Sequence, residues 1–252
     1  MARDKIFFAS DMHFGAEVFG SSREREMRFV RWLDSIKHEA KAIYLLGDVF
    51  DFWFEYRQSV PQGFTRFLGK IAELSDEGVD IHWFTGNHDI WIFDYLPREL
   101  GITIHREPLI AEFGGKTFYL AHGDGMGDKS PSFRFIRWIF HNRVCQWLFR
   151  LIHPDFGIWL ALKWAKNSRM KELQNPLPYL GEEREHLVLY AKDYLKSHPE
   201  TDYLIFGHRH ILLDLQLTSH SRLLILGDWL QHFSYAVFDG QEIRLEQNLL
   251  PD

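Results

Sequence analysis

The sequence predicts an α/β fold whose first half forms a largely parallel β-sheet, and three observations lead to this prediction. Short apolar runs alternate with amphipathic helical segments over residues 6–85. Five apolar runs along the chain end abruptly in polar residues. A basic and aromatic helical segment interrupts this order between residues 128 and 178. With 252 residues, of which 46% are hydrophobic, the chain can bury a full core and lies near the upper size limit of one domain.

The first half of the chain has the order strand, helix, strand, helix, strand. Residues 6–10, 42–46 and 81–85 are short apolar runs of the kind found in buried parallel strands. Residues 23–38 and 64–74 place apolar side chains at helical spacing among charged ones, which predicts two helices that cover the sheet. This order favours parallel strands joined by right-handed crossovers.

The middle of the chain predicts a hairpin and then helices. Residues 103–121 have a hairpin pattern that turns at Gly114-Gly115. Ser130-Pro131 is typical of a helix start, and apolar residues continue at helical spacing to Leu151, which predicts one helix up to the break at His153-Pro154.

Two further helices are predicted, over residues 155–170 and 182–197, before a strand that begins at Tyr203. Residues 212–249 alternate apolar and polar side chains, which predicts a β-meander with a hairpin turn at Asp239-Gly240.

Composition excludes several classes of protein. The single cysteine, Cys145, excludes an internal disulfide framework and a cysteine-rich zinc site. The first residues run directly into a strand-like segment, so we expect no secretion signal. No apolar stretch approaches the roughly 20 residues that span a bilayer. We therefore expect a cytoplasmic protein that is soluble or lies on a membrane surface.

The charge is distributed unevenly. Residues 129–171 contain nine Lys or Arg and one acid, Asp155, so this segment carries about +8 while the whole chain carries −6. The same segment is rich in Phe and Trp. One interpretation is a helical hairpin packed on the core with solvated basic residues. The other is a surface for an anionic amphiphile, with acyl chains against the apolar faces and basic groups on phosphate.

The chain is organised around Gly47-Asp48, which directly follows an apolar run. A lone aspartate in this position is usually the cap of the next turn. The same pattern recurs at four other strand ends, however, and the carboxyl ends of parallel strands are where open α/β sheets keep their ligands. The polar residues at the five strand ends are Asp11 and His13, Asp48, Asn87, His122, and His208 and His210.

These seven residues predict a metal centre. Oxygen and imidazole donors without a thiolate suit Mn, Fe or Zn and disfavour a purely structural zinc site. Seven donors exceed the needs of one ion, so the sequence favours two divalent cations with one bridging carboxylate.

The ordered motifs Asp-x-His, Gly-Asp, Gly-Asn-His-Asp, His-Gly-Asp and Gly-His-x-His, from Asp11 to His210, resemble those of the calcineurin-like metallophosphoesterases. The resemblance implies a pair of mixed sheets flanked by helices. It also implies that Asp11, His13 and His210 hold one ion, that Asn87, His122 and His208 hold the other, and that Asp48 bridges them.

His88 and Asp89 are the implied catalytic pair. In many members of the family this histidine lies beside the metals as a phosphate ligand or general acid, and here the following Asp89 would orient it. The alternative is a loop histidine tied to Asp89.

His122-Gly123-Asp124 is followed by Asp128, Phe135, Arg143, Leu148-Phe149, Ala165 and Asn167-Ser168. This pattern is similar to that of the UDP-2,3-diacylglucosamine pyrophosphatases of lipid A synthesis. The resemblance implies a helical lid over residues 128–178, inserted in a single domain over residues 1–252. It implies hydrolysis of the nucleotide–glycolipid to UMP and 2,3-diacylglucosamine 1-phosphate, most often with Mn²⁺. The implied substrate contacts are Asp128, Arg143, Trp147, Lys163, Lys166, Asn167, Ser168 and Arg169. One position departs from the best-known group of this family, which has Gly-Asn-Arg-Asp, since His88 stands in the position of its arginine.

We also expect peripheral attachment to the inner membrane, no obligate protein partner and no nucleic-acid substrate. Alternative functions are a general phosphomonoesterase or phosphodiesterase for a soluble nucleotide or phosphoprotein, a scaffold with a vestigial metal site, and a nuclease. The intact set of candidate ligands disfavours the scaffold. The net negative charge and the apolar helical spacing disfavour the nuclease.

Overall fold

The computed structural model describes residues 3–18, 20–127, 130–174 and 178–249, without the side chains of residues 132, 133, 169 and 171–174. Within these residues the strands are β1 (Lys5–Ala9), β2 (Ala40–Leu46), β3 (Asp80–Phe84), β4 (Thr103–His105), β5 (Leu109–Phe113), β6 (Lys116–Leu120), β7 (Tyr203–Phe206), β8 (Leu212–Gln216), β9 (Arg222–Leu226), β10 (Ser234–Phe238) and β11 (Ile243–Gln247). The helices are α1 (Ser22–Ile36), α2 (Thr65–Asp76), α3 (Tyr95–Leu100), α4 (Pro131–His141), α5 (Arg143–Arg150), α6 (Pro154–Gln174) and α7 (His186–Ser197).

The strands form two mixed sheets, which confirms the predicted α/β fold class. The first sheet has the order β11-β10-β1-β2-β3-β4, and the second has the order β5-β6-β7-β9-β8. Strands β1, β2 and β3 run parallel, as the βαβαβ pattern predicted. Strand β4 was predicted as part of the hairpin over residues 103–121, but it pairs in parallel with β3 instead. Strands β6, β7 and β9 run parallel in the second sheet. The hairpin of β5 and β6 turns at Gly114-Gly115, as predicted.

Alternating side chains on the strands bury apolar groups on both faces of each sheet. Phe8, Tyr44, Leu120 and Ile205 lie in the core between the two sheets. A second core lies between the first sheet and helices α1 and α2, and a third lies between the second sheet and α7. The result is a sandwich of helices, sheet, sheet and helix, in which the ends of the parallel strands meet along one edge.

The predicted β-meander at the end of the chain is wrong in one respect. The segment forms two hairpins, β8 with β9 and β10 with β11, and the second turns at Asp239-Gly240 as expected. The two hairpins belong to different sheets, because β9 pairs with β7 while β10 pairs with β1. Alternation of apolar residues sets which face of a strand is buried, but it does not set which sheet the strand joins.

The predicted single helix from residue 130 to residue 151 is also corrected. The structure divides it into α4 and α5 at Asn142, whose side-chain oxygen accepts the N–H groups of Val144 (2.9 Å) and Cys145 (3.2 Å). This is an N-cap, so a new helix begins there although the apolar spacing continues across it.

Two other helix boundaries depend on distant residues. Helix α3 was not predicted, and its first N–H groups are capped by the buried carboxylate of Glu55. Helix α7 begins at His186 rather than at residue 182, because the buried Glu185 stands at its N-cap and pairs with Arg209 at 2.6 Å. Among the described residues, no helix has both the length and the apolar character needed to cross a bilayer.

Candidate metal centre

The structure brings the seven candidate ligands together at one edge of the two sheets. We call Asp11, His13, Asp48, Asn87, His122, His208 and His210 the strand-end cluster. Three of its loops follow β1, β2 and β3 of the first sheet, and two follow β6 and β7 of the second. Backbone hydrogen bonds join the loops, for example from Asp11 N–H to Gly47 O and from Gly207 N–H to His122 O.

Two groups of donor atoms lie within the strand-end cluster. The ligand atoms of Asp11, His13 and His210 all lie within 4.8 Å of one another, and we call these residues the first group. Those of Asp48, His122 and His208 also lie within 4.8 Å of one another and form the second group.

Asp48 lies between the two groups. Its Oδ2 is 3.3 Å from Nε2 of His122 and 3.7 Å from Nε2 of His13. One carboxylate oxygen therefore faces an imidazole of each group, which is the position that a bridging ligand requires.

The imidazoles are held with Nε2 towards the centre. Nδ1 of His122 donates to the carbonyl oxygen of Leu46 at 2.7 Å, and Nδ1 of His210 donates to Asp228 Oδ2 at 3.3 Å. Nδ1 of His13 lies 3.4 Å from Asp51 Oδ1. A neutral imidazole that donates from Nδ1 keeps a lone pair on Nε2, which is the form that binds a metal.

The backbone of the strand-end cluster is strained. Asp11, His13, Asp48, His208 and His210 all have positive φ, between 46° and 67°. Only two other described residues that are not glycine share this left-handed conformation. It costs about 1–3 kcal/mol at each such residue and persists where the surrounding structure enforces it.

Glycines beside the cluster leave room for its side chains. A Cβ at Gly47 would lie 2.6 Å from Nδ1 of His122, and one at Gly207 would lie 2.5 Å from Oδ2 of Asp11. A Cβ at Gly86 would lie 2.6 Å from the backbone nitrogen of Asp48. The Gly-Asp, Gly-Asn and Gly-His motifs therefore require glycine, because neighbouring atoms lie too close for a Cβ.

The site concentrates negative charge in a buried place. Five carboxylates of the region are at most 3% exposed: Asp11, Asp48, Asp51, Asp89 and Asp228. Burial raises the pKa of Asp11. Burial opposes ionisation of Asp48 as well, but the imidazoles of His122 and His88 hold the pKa of that carboxyl well below its ordinary value. Five buried carboxylates so close together favour the binding of cations, because burying an unpaired charge costs free energy.

The donors present fit two divalent cations. Oδ1 of Asn87 and Nε2 of His122 are buried and have no hydrogen-bond partner among the described residues, as expected of atoms that a metal satisfies. Burial also lowers the pKa of His208 to about 3, which keeps this imidazole neutral and able to ligate. Mixed carboxylate, amide and imidazole donors suit Mn, Fe or Zn.

His88 lies at the edge of the cluster, but its predicted orienting partner is corrected. The His88 ring packs edge-on against that of His13, with centroids 4.9 Å apart, and the backbone N–H of His88 donates to Asp48 Oδ1 at 2.8 Å. Nδ1 of His88 lies 2.9 Å from the carbonyl oxygen of Asp51, so that carbonyl orients the ring.

Asp89 binds backbone instead. Its oxygens accept the N–H groups of Gly86 (2.7 Å) and Val49 (2.9 Å), which ties the loop after β3 to the loop after β2. Burial, followed by the charge of Asp48, raises the pKa of Asp89 to about 7.

Sequence reasoning missed the two carboxylates that support the imidazoles. Asp51 belongs to the Gly47-Asp48 motif and was visible as the second acid of a pair. Asp228 follows the apolar run of β9 and Gly227, which is the same pattern that identified Asp48. This sixth apolar run followed by Gly-Asp could have identified Asp228 from the sequence.

The helices α4, α5 and α6, which we call the α4–α6 segment, dock on the loops that carry the cluster. Trp91 donates from Nε1 to the carbonyl oxygen of Phe140 at 2.9 Å, and Arg137 donates to the carbonyl oxygen of Asp124 at 2.7 Å. Phe140 and Phe149 pack on an aromatic cluster formed by residues of the loops after β2 and β3. The segment therefore lies directly beside the candidate metal centre.

The exposed face of the α4–α6 segment is apolar. Twelve of the nineteen exposed large hydrophobic residues in the described part of the chain lie on its three helices. Trp147 is 56% exposed, and Lys163 Nζ lies 4.9 Å from the centroid of the Trp159 ring.

The predicted substrate contacts lie mainly on this exposed face. Arg143 and Trp147 are exposed on α5, Lys163, Lys166 and Asn167 are exposed on α6, and Ser168 is partly exposed. Asp128 and the side chain of Arg169 lie outside the described residues. A role of these residues in substrate binding stays a prediction.

An open cavity of about 780 Å³ lies between the start of α6 and two loops of the core. Pro154, Ile158 and Leu162 line it from the helix, and Phe14 and Phe52 line it from the core. Phe14 directly follows His13 in the chain, and Phe52 directly follows Asp51, but none of the seven residues of the strand-end cluster lines the cavity.

The chain matches the family model of the calcineurin-like phosphoesterases over residues 4–212. It is 46% identical, over 255 aligned residues, to a protein of Porphyromonas gingivalis (strain ATCC BAA-308 / W83) named UDP-2,3-diacylglucosamine hydrolase, and the match covers 97% of each chain. A protein of the same name from Aeromonas salmonicida (strain A449) is 27% identical, covering 97% of this chain and 93% of its own. One from Neisseria gonorrhoeae (strain ATCC 700825 / FA 1090) is 28% identical and covers 91% of each chain.

Proposed function

Because the chain belongs to the calcineurin-like phosphoesterase family, we propose that it hydrolyses the pyrophosphate bond of UDP-2,3-diacylglucosamine in lipid A biosynthesis. The products are UMP and 2,3-diacylglucosamine 1-phosphate. The observation that carries this proposal is the 46% identity, along 97% of each chain, to a protein named for hydrolysis of this substrate.

The strand-end cluster is the proposed metal centre, and Mn²⁺ is the proposed metal. The first group would hold one ion, His122 and His208 with Asn87 would hold the other, and Asp48 would bridge them. Bound divalent cations would supply a hydroxide nucleophile near neutral pH and would offset the negative charge of the phosphate oxygens. The unpartnered Asn87 Oδ1 supports its place in the ligand set.

His88 is the proposed proton donor at the edge of the site. Its Nδ1 faces the Asp51 carbonyl oxygen, so a second proton would reside on Nε2. From there the imidazolium can donate to an oxygen of the departing sugar-linked phosphate. Asp89 supports this step only indirectly, because it accepts backbone N–H groups of the loop after β2 and of the loop after β3.

The α4–α6 segment is the proposed lid that selects the lipid. Its apolar face and the adjacent cavity of about 780 Å³ offer a place for acyl chains, at about 0.8 kcal/mol for each buried methylene. Arg143, Lys163 and Lys166 are suited to the phosphate and sugar side of the substrate. A solvated helical hairpin without this role would not need to expose tryptophans as well as lysines.

The same face is proposed to attach the protein to the cytoplasmic surface of the inner membrane. Exposed aromatic side chains beside Lys and Arg favour the interface of an anionic bilayer. Flotation with vesicles that contain an anionic phospholipid tests this. We expect binding in low salt and release in high salt, whereas equal recovery without vesicles would contradict it.

The activity is tested with chelated protein and purified UDP-2,3-diacylglucosamine in detergent, with and without added Mn²⁺. We expect Mn²⁺-dependent release of UMP, and reaction in ¹⁸O-labelled water should place the label in UMP. Label in the lipid phosphate would show attack on the other phosphorus. Turnover of bis(4-nitrophenyl) phosphate with none of the glycolipid would favour the alternative, a phosphodiesterase for soluble substrates.

A further inference from the structure

The two groups of candidate ligands are supported in different ways. In the first group, both imidazoles face a carboxylate: Nδ1 of His210 lies 3.3 Å from Asp228 Oδ2, and Nδ1 of His13 lies 3.4 Å from Asp51 Oδ1. In the second group, Nδ1 of His122 faces a neutral carbonyl oxygen. An imidazole that donates to a carboxylate is a more basic metal ligand than one that donates to a carbonyl.

Asp228 is built into the fold for this contact. It is 2% exposed, and its Oδ1 accepts three backbone N–H groups, from residues 230, 231 and 232, at 2.7–3.0 Å. These bonds fix the carboxylate and leave Oδ2 directed at His210. Oδ2 also lies 3.2 Å from Nδ1 of His232, which is partly exposed.

The loop that carries Asp228 also holds a second ligand of the first group. Trp229, the next residue, donates its N–H to the carbonyl oxygen of Asp11 at 3.1 Å. A loop that provides none of the predicted ligands therefore fixes two of the three ligands of the first group, and no described contact of this kind reaches His122.

From this asymmetry we infer that Asp228, together with Asp51, makes the first group the tighter of two cation sites, so that it fills first. Asp228 and Asp51 are positioning residues, because they act through His210 and His13. The inference rests on the proposed metal centre and names the order in which its two sites load with a divalent cation.

The experiment is a titration of chelated protein with Mn²⁺, followed by calorimetry and by metal analysis of the desalted protein. We expect two binding steps of different affinity. Asp228→Asn removes the charge, and because the three backbone N–H groups hold its one oxygen at the Oδ1 position, its amide NH2 faces His210, which loses the acceptor of its Nδ1–H. We expect the tighter step to weaken by about 10- to 100-fold and the weaker step to stay within about twofold.

Asp51→Asn tests the same point from the other side of the first group. It should weaken the same step, and it keeps the inference testable if Asp228→Asn fails to fold, as judged by circular dichroism of the metal-free protein. The control is Asp193→Asn, an exposed carboxylate on α7, which should leave both steps unchanged.

Two equal steps in the unmodified protein would overturn the inference, as would a loss confined to the weaker step in both variants. The titration contains no substrate, so its outcome is independent of the activity assay. Ordered loading without hydrolysis of the glycolipid would overturn the proposed function and support this inference.

Discussion

The strand-end cluster and the α4–α6 segment lie side by side but are built by opposite means. In the cluster, buried and half-buried polar residues follow the ends of several strands, and five of them keep a strained left-handed backbone. In the segment, large apolar residues remain exposed on three helices that dock through a few contacts. The comparison teaches that this fold holds the proposed metal centre rigidly, whereas the surface that we propose selects the substrate has few constraints.

The largest effect is expected from a substitution in the strand-end cluster, which should abolish activity on every substrate. Asp48→Asn takes the charge from the position between the two groups of ligands, so activity on the glycolipid and on a small phosphodiester should fall together. We expect activity to fall by more than about 100-fold, which is the upper end of the loss seen when a residue that only supports a metal ligand is replaced. Turnover and bound Mn²⁺ are the measurements.

The control for this variant is Asp76→Asn, an exposed carboxylate at the end of α2. It should change neither quantity. Asp48→Asn protein with near-normal activity and metal content would contradict the assignment of the strand-end cluster.

The next effect should fall on the segment alone. Trp147→Ala removes a large ring that is 56% exposed, and burial of such a side chain by an acyl chain is worth about 1.5–3 kcal/mol. Catalytic efficiency on the glycolipid should therefore drop by about 10- to 100-fold. Efficiency on bis(4-nitrophenyl) phosphate should not change.

Leu189→Ala, at an exposed apolar position on α7, is the matched control and should affect neither substrate. Equal losses on both substrates with Trp147→Ala would mean that the segment is structural.

A smaller effect probes the rigidity of the cluster. Gly207→Ala would place a Cβ 2.5 Å from Oδ2 of Asp11, and overpacking of this kind costs about 1–3 kcal/mol. We expect a lower melting temperature and less bound metal. Gly69→Ala, in the open face of α2, should instead raise the melting temperature slightly, because alanine favours a helix. No difference between the two variants would contradict the close fit at Gly207.

The smallest effect concerns the contact between the two regions. Trp91→Phe keeps most of the ring but removes the hydrogen bond to the Phe140 carbonyl oxygen, worth about 0.5–1.5 kcal/mol. Hydrogen exchange in α4 should quicken, and KM for the glycolipid should rise a few-fold while kcat stays the same. Trp164→Phe, whose ring also packs on Phe140, is the control. A fall in kcat alone would place the role of Trp91 in the chemistry.

The sequence predicted the parts of the fold whose signals are local. Apolar runs marked β1, β2, β3, β6 and β7, and the polar residues behind them converge in the structure because parallel strands end at one edge. The predictions failed where the determining partner is far away in the chain. Glu55 caps α3 across about forty residues, and β10 joins the first sheet by pairing with β1.

Within the candidate site, the motifs at strand ends located the candidate ligands, which the structure brings together, but they did not locate the residues that support them. A ligand follows a strand end and can be found by that pattern, but the direction of Asp89 towards backbone N–H groups depends on how two loops meet. The same holds for Asn142, where a side-chain cap overrides an uninterrupted apolar period. The local sequence pattern indicates where a residue lies on a strand, helix or loop, but tertiary contacts determine its hydrogen-bond partner.

The connection from Trp229 N–H to the Asp11 carbonyl has a consequence for biosynthesis. It joins a loop at residue 11 to a loop at residue 229, and the nascent chain therefore lacks the finished first group of ligands while the residues between them are synthesised. At about 5–20 residues per second this interval lasts roughly 10–40 s. Correct metal loading of the first group is thus expected only after residue 229 has been synthesised, so metal captured earlier would have to be exchanged.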